Sequence, residues 1–320
     1  MIRSVVIGLG AHLPERVIEN DWFARELGLE TSDEWIRART GIERRRFAAE
    51  GELTSDLGAK AARAALADAG IEADSLDAIV VATTTPDLTF PSTAVKIQAA
   101  LGMTRGFAFD QMAACAGFVF ALASADAMIR SGQARRVCVI GAETYSRILD
   151  YADRGTCVLF GDGAGALILE GQEGDRGILA TDLNSDGSYA DLLYVDGGVS
   201  RNGEAGKLRM EGREVFRHAV EKLAATAGTA LGRAGLSHDD VDWIVPHQAN
   251  IRIIEATARK MGVPMERVVV TVQEHGNTSA ASIPLALAEA ARKGQLKQGD
   301  IVASEAIGGG LAWGAAIFRW

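Results

Sequence analysis

A chain of 320 residues, 48% of them hydrophobic and 23% charged, has apolar material for one large core or two fused ones. Its net charge of −9 argues against nucleic acid as a partner. Its three cysteines, an odd number without close spacing, exclude a disulfide framework and a CxxC metal site and fit a reducing cytoplasm. No apolar run reaches the roughly 18 residues that a membrane span needs. The start, MIRSVVIGLGAHLP, lacks the pattern of a signal peptide and reads as a first strand and turn.

In chain order, strands are predicted at VVIGLG (5–10), DAIVVATT (77–84), VCVIGAE (137–143), GAGALILE (163–170), DWIVPH (242–247), DIVASEA (300–306) and GAAIFRW (314–320). Helices are predicted at 55–69, 93–101, 116–131, 212–233, 250–261 and 279–293. Alternation of apolar strands with alanine-rich helices implies an α/β fold. The chain also repeats itself. ADAGIEADSLDAIVVAT (67–83) aligns without a gap onto GRAGLSHDDVDWIVPHQ (232–248), and FALASADAMIRSGQ (120–133) parallels PLALAEAARKGQ (284–295). Each half then ends on a glycine-rich turn into a last strand, GDGAGALILE and GGGLAWGAAIF. The expectation is two duplicated α/β halves, 1–172 and 173–320, divided near 171–176.

The repeat bears on QMAACAGF (111–118), where one cysteine stands at the head of an apolar helix. As a small hydrophobe, Cys115 would fill a tight spot. As a nucleophile, it would draw on the unpaired N–H groups and dipole of a helix N-terminus, which favour a thiolate. With Gly132 and Gly294 as anchors, Cys115 corresponds to Asn277, while His247 falls at the C-terminal end of a strand, where ligands gather in α/β folds. A cysteine, a histidine and an asparagine on comparable ends of related elements favour the nucleophile. GDGAGA (161–166) lacks the GK[ST] of a P-loop and runs into a strand, so it reads as a structural turn. Cys138 and Cys157 sit in apolar strand-like surroundings and read as packing residues. His12, His218 and His238 have no partner motif.

AACAGF around Cys115, VPHQAN around His247, HGNTSAAS around Asn277 and GGGLAWG (308–314) together resemble the thiolase-fold condensing enzymes. More closely, they resemble the β-ketoacyl-acyl carrier protein synthase III family. SDEWIRARTGIERR (32–45), FPSTA (90–94), DRGT (153–156), FGDGAGA (160–166) and SDGSY (185–189) extend the resemblance over nearly the whole chain. It implies a layered αβαβα fold and decarboxylative Claisen condensation of a short acyl-CoA, acetyl-CoA foremost, with malonyl-acyl carrier protein. That reaction initiates type II fatty-acid synthesis.

The chemistry suits the residues. Cys115 would carry the acyl group as a thioester. The N–H groups of Cys115 and Gly309 would hold the oxyanion, and a neutral His247 with the Asn277 amide would hold the enolate. The second half contains no cysteine, whereas a thiolase would use one there to move a proton. The elongating synthases use a second histidine where Asn277 stands, and His275 reads as a turn residue. By the same resemblance, Trp35, Arg39 and Thr40 would hold the coenzyme A adenine. Arg154, Gly155, Gly212, Phe216, Ala249 and Asn250 would line the pantetheine tunnel. Gln248, Ala249, Asn250, Ile251 and Arg252, with Arg217, Arg259 and Lys260, would meet the acidic carrier protein. Arg213, four residues before Arg217, belongs to the same basic face. Phe90 would reach across a homodimer interface into the partner's acyl pocket. No cofactor or metal is expected, coenzyme A being part of the substrate. A polyketide-type ketosynthase and a cysteine acyl-thioester hydrolase with the same Cys, His and Asn are the competing readings.

Overall fold

The computed structural model describes residues 1–320. The first half runs through β1 (Ile2–His12), β2 (Arg16–Glu19), α1 (Asp21–Leu27), α2 (Asp33–Thr40), β3 (Arg44–Phe47), α3 (Thr54–Ala69), β4 (Ala78–Ala82) and α4 (Thr93–Ala100). It continues with β5 (Phe107–Gln111), α5 (Gly117–Arg130), β6 (Arg136–Thr144), the single-turn α6 (Arg154–Cys157) and β7 (Asp162–Glu173). The second half holds β8 (Gly177–Ser185), β9 (Leu193–Val195), β10 (Leu208–Met210), α7 (Gly212–Arg233), β11 (Trp243–Ile244) and α8 (Ile251–Met261). It ends with the single-turn α9 (Val272–His275), α10 (Ser282–Arg292), β12 (Ile301–Gly308) and β13 (Ala312–Arg319).

Two sheets carry the fold. The first has the order β1-β7-β6-β4-β5 and the second β8-β13-β12-β11. In each, the first two pairings are antiparallel and the next is parallel. The parallel β4–β5 pairing has its counterpart in a single parallel bridge between Ile244 and Val268. Strand β4, AIVVA, is buried along its whole length, as a continuous apolar run buried on both faces should be. Its Val80 faces the space between the sheets and its Ile79 the outer helix α3.

Helices α5 and α10 fill the space between the sheets. Phe118, Leu122 and Ile129 of α5 and Ile283 and Leu287 of α10 pack against Val139 and Leu167 of one sheet and Val302 and Phe318 of the other. Each such side chain, fully buried, contributes about 1.5–3 kcal/mol. Helix α3 covers the outer face of the first sheet and α7 that of the second, which completes five αβαβα layers. No helix is long and apolar enough to cross a membrane.

The predicted strand 242–247 shrinks to Trp243–Ile244. Pro246 has no N–H to give to a ladder, yet Val245 N and His247 N still donate to Ala303 O and Glu305 O at 2.9 Å each. The backbone that carries His247 is thus anchored to β12 without being a regular strand.

Candidate active site

Both buried central helices begin in the same way. A 3₁₀ turn, Ala114–Ala116 before α5 and Ser279–Ala281 before α10, opens on a residue with positive φ, +46° at Ala114 and +50° at Ser279. Left-handed backbone at a non-glycine residue costs about 1–3 kcal/mol and marks a position held by its surroundings. These matched turns place Cys115 opposite Ala280, not opposite Asn277. The helix-end glycines give the wrong register because α5 has 14 residues and α10 only 11. Asn277 lies just before its turn, where its Oδ1 accepts from Ser279 N at 2.9 Å. That bond leaves the Nδ2 hydrogens free to donate elsewhere.

Cys115 has a floor of glycine. A Cβ added at Gly308 would lie 2.5 Å from Cys115 N, so only glycine lets the end of β12 come this close. The N–H groups of Cys115 and Gly309 donate to no backbone acceptor. Burial pushes the Cys115 thiol up to about 12. Enclosure thus favours the thiol, whereas the head of the helix favours the thiolate.

His247 is buried and its Nδ1 lies 2.6 Å from Ser282 Oγ. Ser282 Oγ accepts from Gln248 N at 3.3 Å, and its own hydrogen has no other acceptor, so donation to Nδ1 satisfies it. The ring then keeps its proton on Nε2. Burial lowers the His247 pKa to about 3, so the ring is neutral at any working pH.

Cys115, His247 and Asn277 meet at the buried end of a cavity of ≈ 240 Å³. Trp35, Arg39, Thr40, Gly155, Gly212, Phe216, Ala249 and Asn250 line the rest of it. Asn250 caps α8 through Arg252 N (2.9 Å) and donates to Arg39 O (3.1 Å), joining that helix to α2. Arg154 and Arg39 both stack on the Trp35 indole, at 4.7 and 4.4 Å from its centroid. Each guanidinium already lies at stacking distance from the indole. The Thr40 hydroxyl is engaged at the end of α2, donating to Ile36 O and accepting from Ile42 N.

Gln248 does not belong to a docking surface. It is fully buried: its Nε2 donates to Pro246 O and Val269 O, and its Oε1 accepts from Thr271 N and Val272 N. It ties the loop after β11 to the segment before α9. Ile251 is half-buried against Gly41, where a Cβ would come 2.7 Å from its own. Arg252 is exposed and donates to Ala38 O at 2.9 Å, and Arg217 pairs with Glu214 at 2.6 Å. Arg213 is exposed at the start of α7, and Arg259 and Lys260 are exposed at the end of α8. Phe90 lines neither cavity that reaches Cys115 and is 83% exposed. A second cavity, ≈ 940 Å³, reaches Cys115 from another side and is lined by Gly309, Leu88, Met112 and Val199.

Two family models match: 3-oxoacyl-[acyl-carrier-protein (ACP)] synthase III over residues 109–187, and its C-terminal domain over 231–320. A β-ketoacyl-[acyl-carrier-protein] synthase III of Paracoccus denitrificans is 68% identical over 100% of both chains. The chain belongs to the 3-oxoacyl-[acyl-carrier-protein] synthase III family. The crystal structure of the family's Aquifex aeolicus member superposes with a TM-score of 0.94 at 46% identity, covering 99% of this chain and 100% of that one. The priming β-ketosynthase of the R1128 polyketide pathway also matches, at 36% identity and a TM-score of 0.92, covering 99% and 96%.

Sequence reasoning missed the groups that hold these side chains: Ser282 behind His247, and Ser279, Tyr145 and Glu143 around Cys115. Ser279 and Ser282 stand within HGNTSAAS, but only the fold brings them to partners more than thirty residues away.

Proposed function

We propose that this chain joins a short acyl-CoA, acetyl-CoA first, to malonyl-acyl carrier protein, with loss of carbon dioxide, and so starts type II fatty-acid synthesis. One observation carries the reading. A buried thiol with two unspent N–H groups shares a cavity with two neutral donors, His247 Nε2 and Asn277 Nδ2.

In the first half-reaction Cys115 Sγ attacks the acyl carbon, and the N–H groups of Cys115 and Gly309 receive the oxyanion. Coenzyme A leaves and a thioester remains on Cys115. In the second, malonyl thioester loses carbon dioxide and negative charge gathers on its carbonyl oxygen, where His247 and Asn277 donate. The resulting carbanion attacks the Cys115 thioester. Each donor that strengthens in the transition state is worth about 3 kcal/mol, roughly a hundredfold in rate. Coenzyme A is a substrate here, and these residues supply the chemistry without a resident cofactor. The depressed His247, its Nδ1 held by Ser282, is a poor base for activating water, which favours condensation over thioester hydrolysis.

Carrier protein is proposed to dock on the exposed arginines and lysine of α7 and α8, and the enzyme to work as a cytoplasmic homodimer. Three unpaired cysteines support the compartment. Exposed Leu88, Met112 and Val199 line the larger cavity, and Phe90, two residues along the chain from Leu88, is exposed as well; these apolar side chains support the dimer. Sedimentation of the Phe90→Ser, Met112→Ser double variant should show monomer where the native chain shows dimer, and an unshifted dimer refutes this face. Incubation with acetyl-CoA and malonyl-acyl carrier protein should yield the β-ketoacyl carrier protein. Free acid with no carbon–carbon bond would establish the hydrolase instead.

A further inference from the structure

The two half-reactions leave one proton without a destination, that of the Cys115 thiol. A high thiol pKa opposes simple ionisation. His247 is committed at Nδ1 to Ser282. On the side of the larger cavity, which Cys115, Thr84, Thr85 and Tyr145 all line, stands a carboxyl with no part in that chemistry. It is Glu143, near the end of β6 and fully buried.

Five donors converge on it. Its Oε1 accepts from Ser279 Oγ at 3.0 Å and Thr84 Oγ1 at 3.1 Å. Its Oε2 accepts from Thr85 Oγ1 at 2.6 Å, Thr84 N at 3.1 Å and Thr83 Oγ1 at 3.2 Å. The Tyr145 hydroxyl lies 3.1 Å from both Ser279 Oγ and Thr84 Oγ1. The 3₁₀ turn that begins with Ser279 packs against the one that carries Cys115, which sets the Ser279 hydroxyl between the thiol's turn and the Glu143 carboxyl. The titratable groups that face Glu143 are Cys115, from the turn before α5, and Tyr145, after β6; its other neighbours are hydroxyls and an amide N–H. Burial raises Glu143 to about 7, where a proton acceptor works best at neutral pH. A purely structural knot of hydroxyls could be met by an amide. A carboxyl adds the capacity to take a proton.

We infer that Glu143 takes the Cys115 thiol proton through the Ser279 hydroxyl as the acyl group arrives, and returns it when the condensation product leaves. The S–H proton passes to Ser279 Oγ while the Ser279 O–H proton passes to Glu143 Oε1. The freed electron pair on Sγ forms the bond to the acyl carbon. Coenzyme A departs as a thiolate and is protonated by water. In the condensation the C–S bond breaks, its electron pair returns to Sγ, and the relay runs backwards to restore thiol and carboxylate. Between the two events Glu143 is neutral, so no buried anion opposes the enolate forming nearby. Glu143 acts through Ser279, as a positioning and proton-holding residue. The return step rests on the condensing function proposed above, whereas the forward step needs only a nucleophilic Cys115.

The test is the pH profile of Cys115 alkylation by iodoacetamide, read by peptide mass in the native protein, Glu143→Gln and Ser279→Ala. Acyl uptake from acetyl-CoA is measured beside it. The native rate should rise through an inflection near pH 7 and then level. Both variants should lose that inflection, climb about tenfold per pH unit, and be roughly a hundredfold slower near pH 8. An inflection that persists in Glu143→Gln overturns the relay. So does a native profile without one between about pH 6 and 8, a result that needs no variant to fold. Normal alkylation without acyl uptake in the native protein would instead condemn the condensing function and leave the relay standing.

Discussion

Ser282 decides which end of His247 carries a proton, and that end decides what the ring can do. With Nδ1 accepting from Ser282 Oγ at 2.6 Å, Nε2–H is a donor and never a base. Ser282→Ala frees the tautomer, and carbon dioxide release should fall about tenfold while acyl uptake holds. Equal loss of both would show that Ser282 merely supports the fold. His247 is lowered to about 3, so it stays neutral at every pH above that value. Decarboxylation by Glu143→Gln, which lacks the group that titrates near 7, should carry no step near 6.5, the ordinary histidine value, between about pH 5 and 8. Cys115, His247 and Asn277 were legible because each stands in a short, distinctive string. Ser282, Ser279, Tyr145 and Glu143 were not, because hydroxyls and carboxyls abound and only tertiary contact selects these. The enclosure that opposes a thiolate at Cys115 was hidden for the same reason, since a sequence does not display burial. Gln248 misled differently, since a polar residue beside site residues looked like surface while all its hydrogen-bonding groups face inward.

Elements set the reach of these residues. The end of β12 touches the head of α5 through Gly308, and Gly308→Ala puts a methyl carbon 2.5 Å from Cys115 N. Backbone cannot yield as a flexible side chain does, so acyl uptake should drop by at least about a hundredfold, the value of a lost oxyanion donor. A variant that takes up acyl groups normally would move the oxyanion site elsewhere. Helix α8 separates two duties of its basic residues. Arg252 binds Ala38 O and so braces α2 beside the coenzyme A cavity, whereas Arg259 and Lys260 form no ion pair. Arg259→Glu with Lys260→Glu should raise the carrier-protein KM, with a loss that shrinks in high salt, and leave the KM for acetyl-CoA alone. A salt-independent loss would refute docking on α8. Long apolar runs and alanine-rich helices were legible in the sequence, to within three residues at most ends. Short α1 and α2 escaped, as did β8, whose sequence GILATDLNS is too polar to announce a strand.

At the scale of the molecule, the repeated strand order supports reading 1–172 and 173–320 as two copies of one α/β unit, with Cys115 from one and His247 and Asn277 from the other. The register between copies was misread by three residues because helix length, unlike strand order, had drifted. Stability should report the buried acids. Burial raises Glu143 to about 7 and Glu305 to about 8, above the unfolded value of 4.5, so the folded state binds protons the unfolded state has lost. That contribution is present below pH 4.5 and is lost as pH rises through 7 and 8. Buried His247 and His275, lowered to about 3 and about 4, act oppositely: their contribution is present above 6.5 and lost as pH falls towards those values. The melting temperature should therefore fall between about pH 6.5 and 8.5, and less so in Glu305→Gln, whose Oε2 has no partner to lose. A native Tm that is flat across that window would contradict the buried charge.

The central claim is a division of labour: Cys115 with Gly309 for acylation, His247 with Asn277 for decarboxylation. The most direct measurement takes Asn277→Ala and follows radiolabelled acyl uptake from acetyl-CoA and carbon dioxide release from malonyl-acyl carrier protein separately. Uptake should persist on Cys115, while carbon dioxide release falls by about two to three orders of magnitude. Blocked uptake with normal carbon dioxide release would contradict the account.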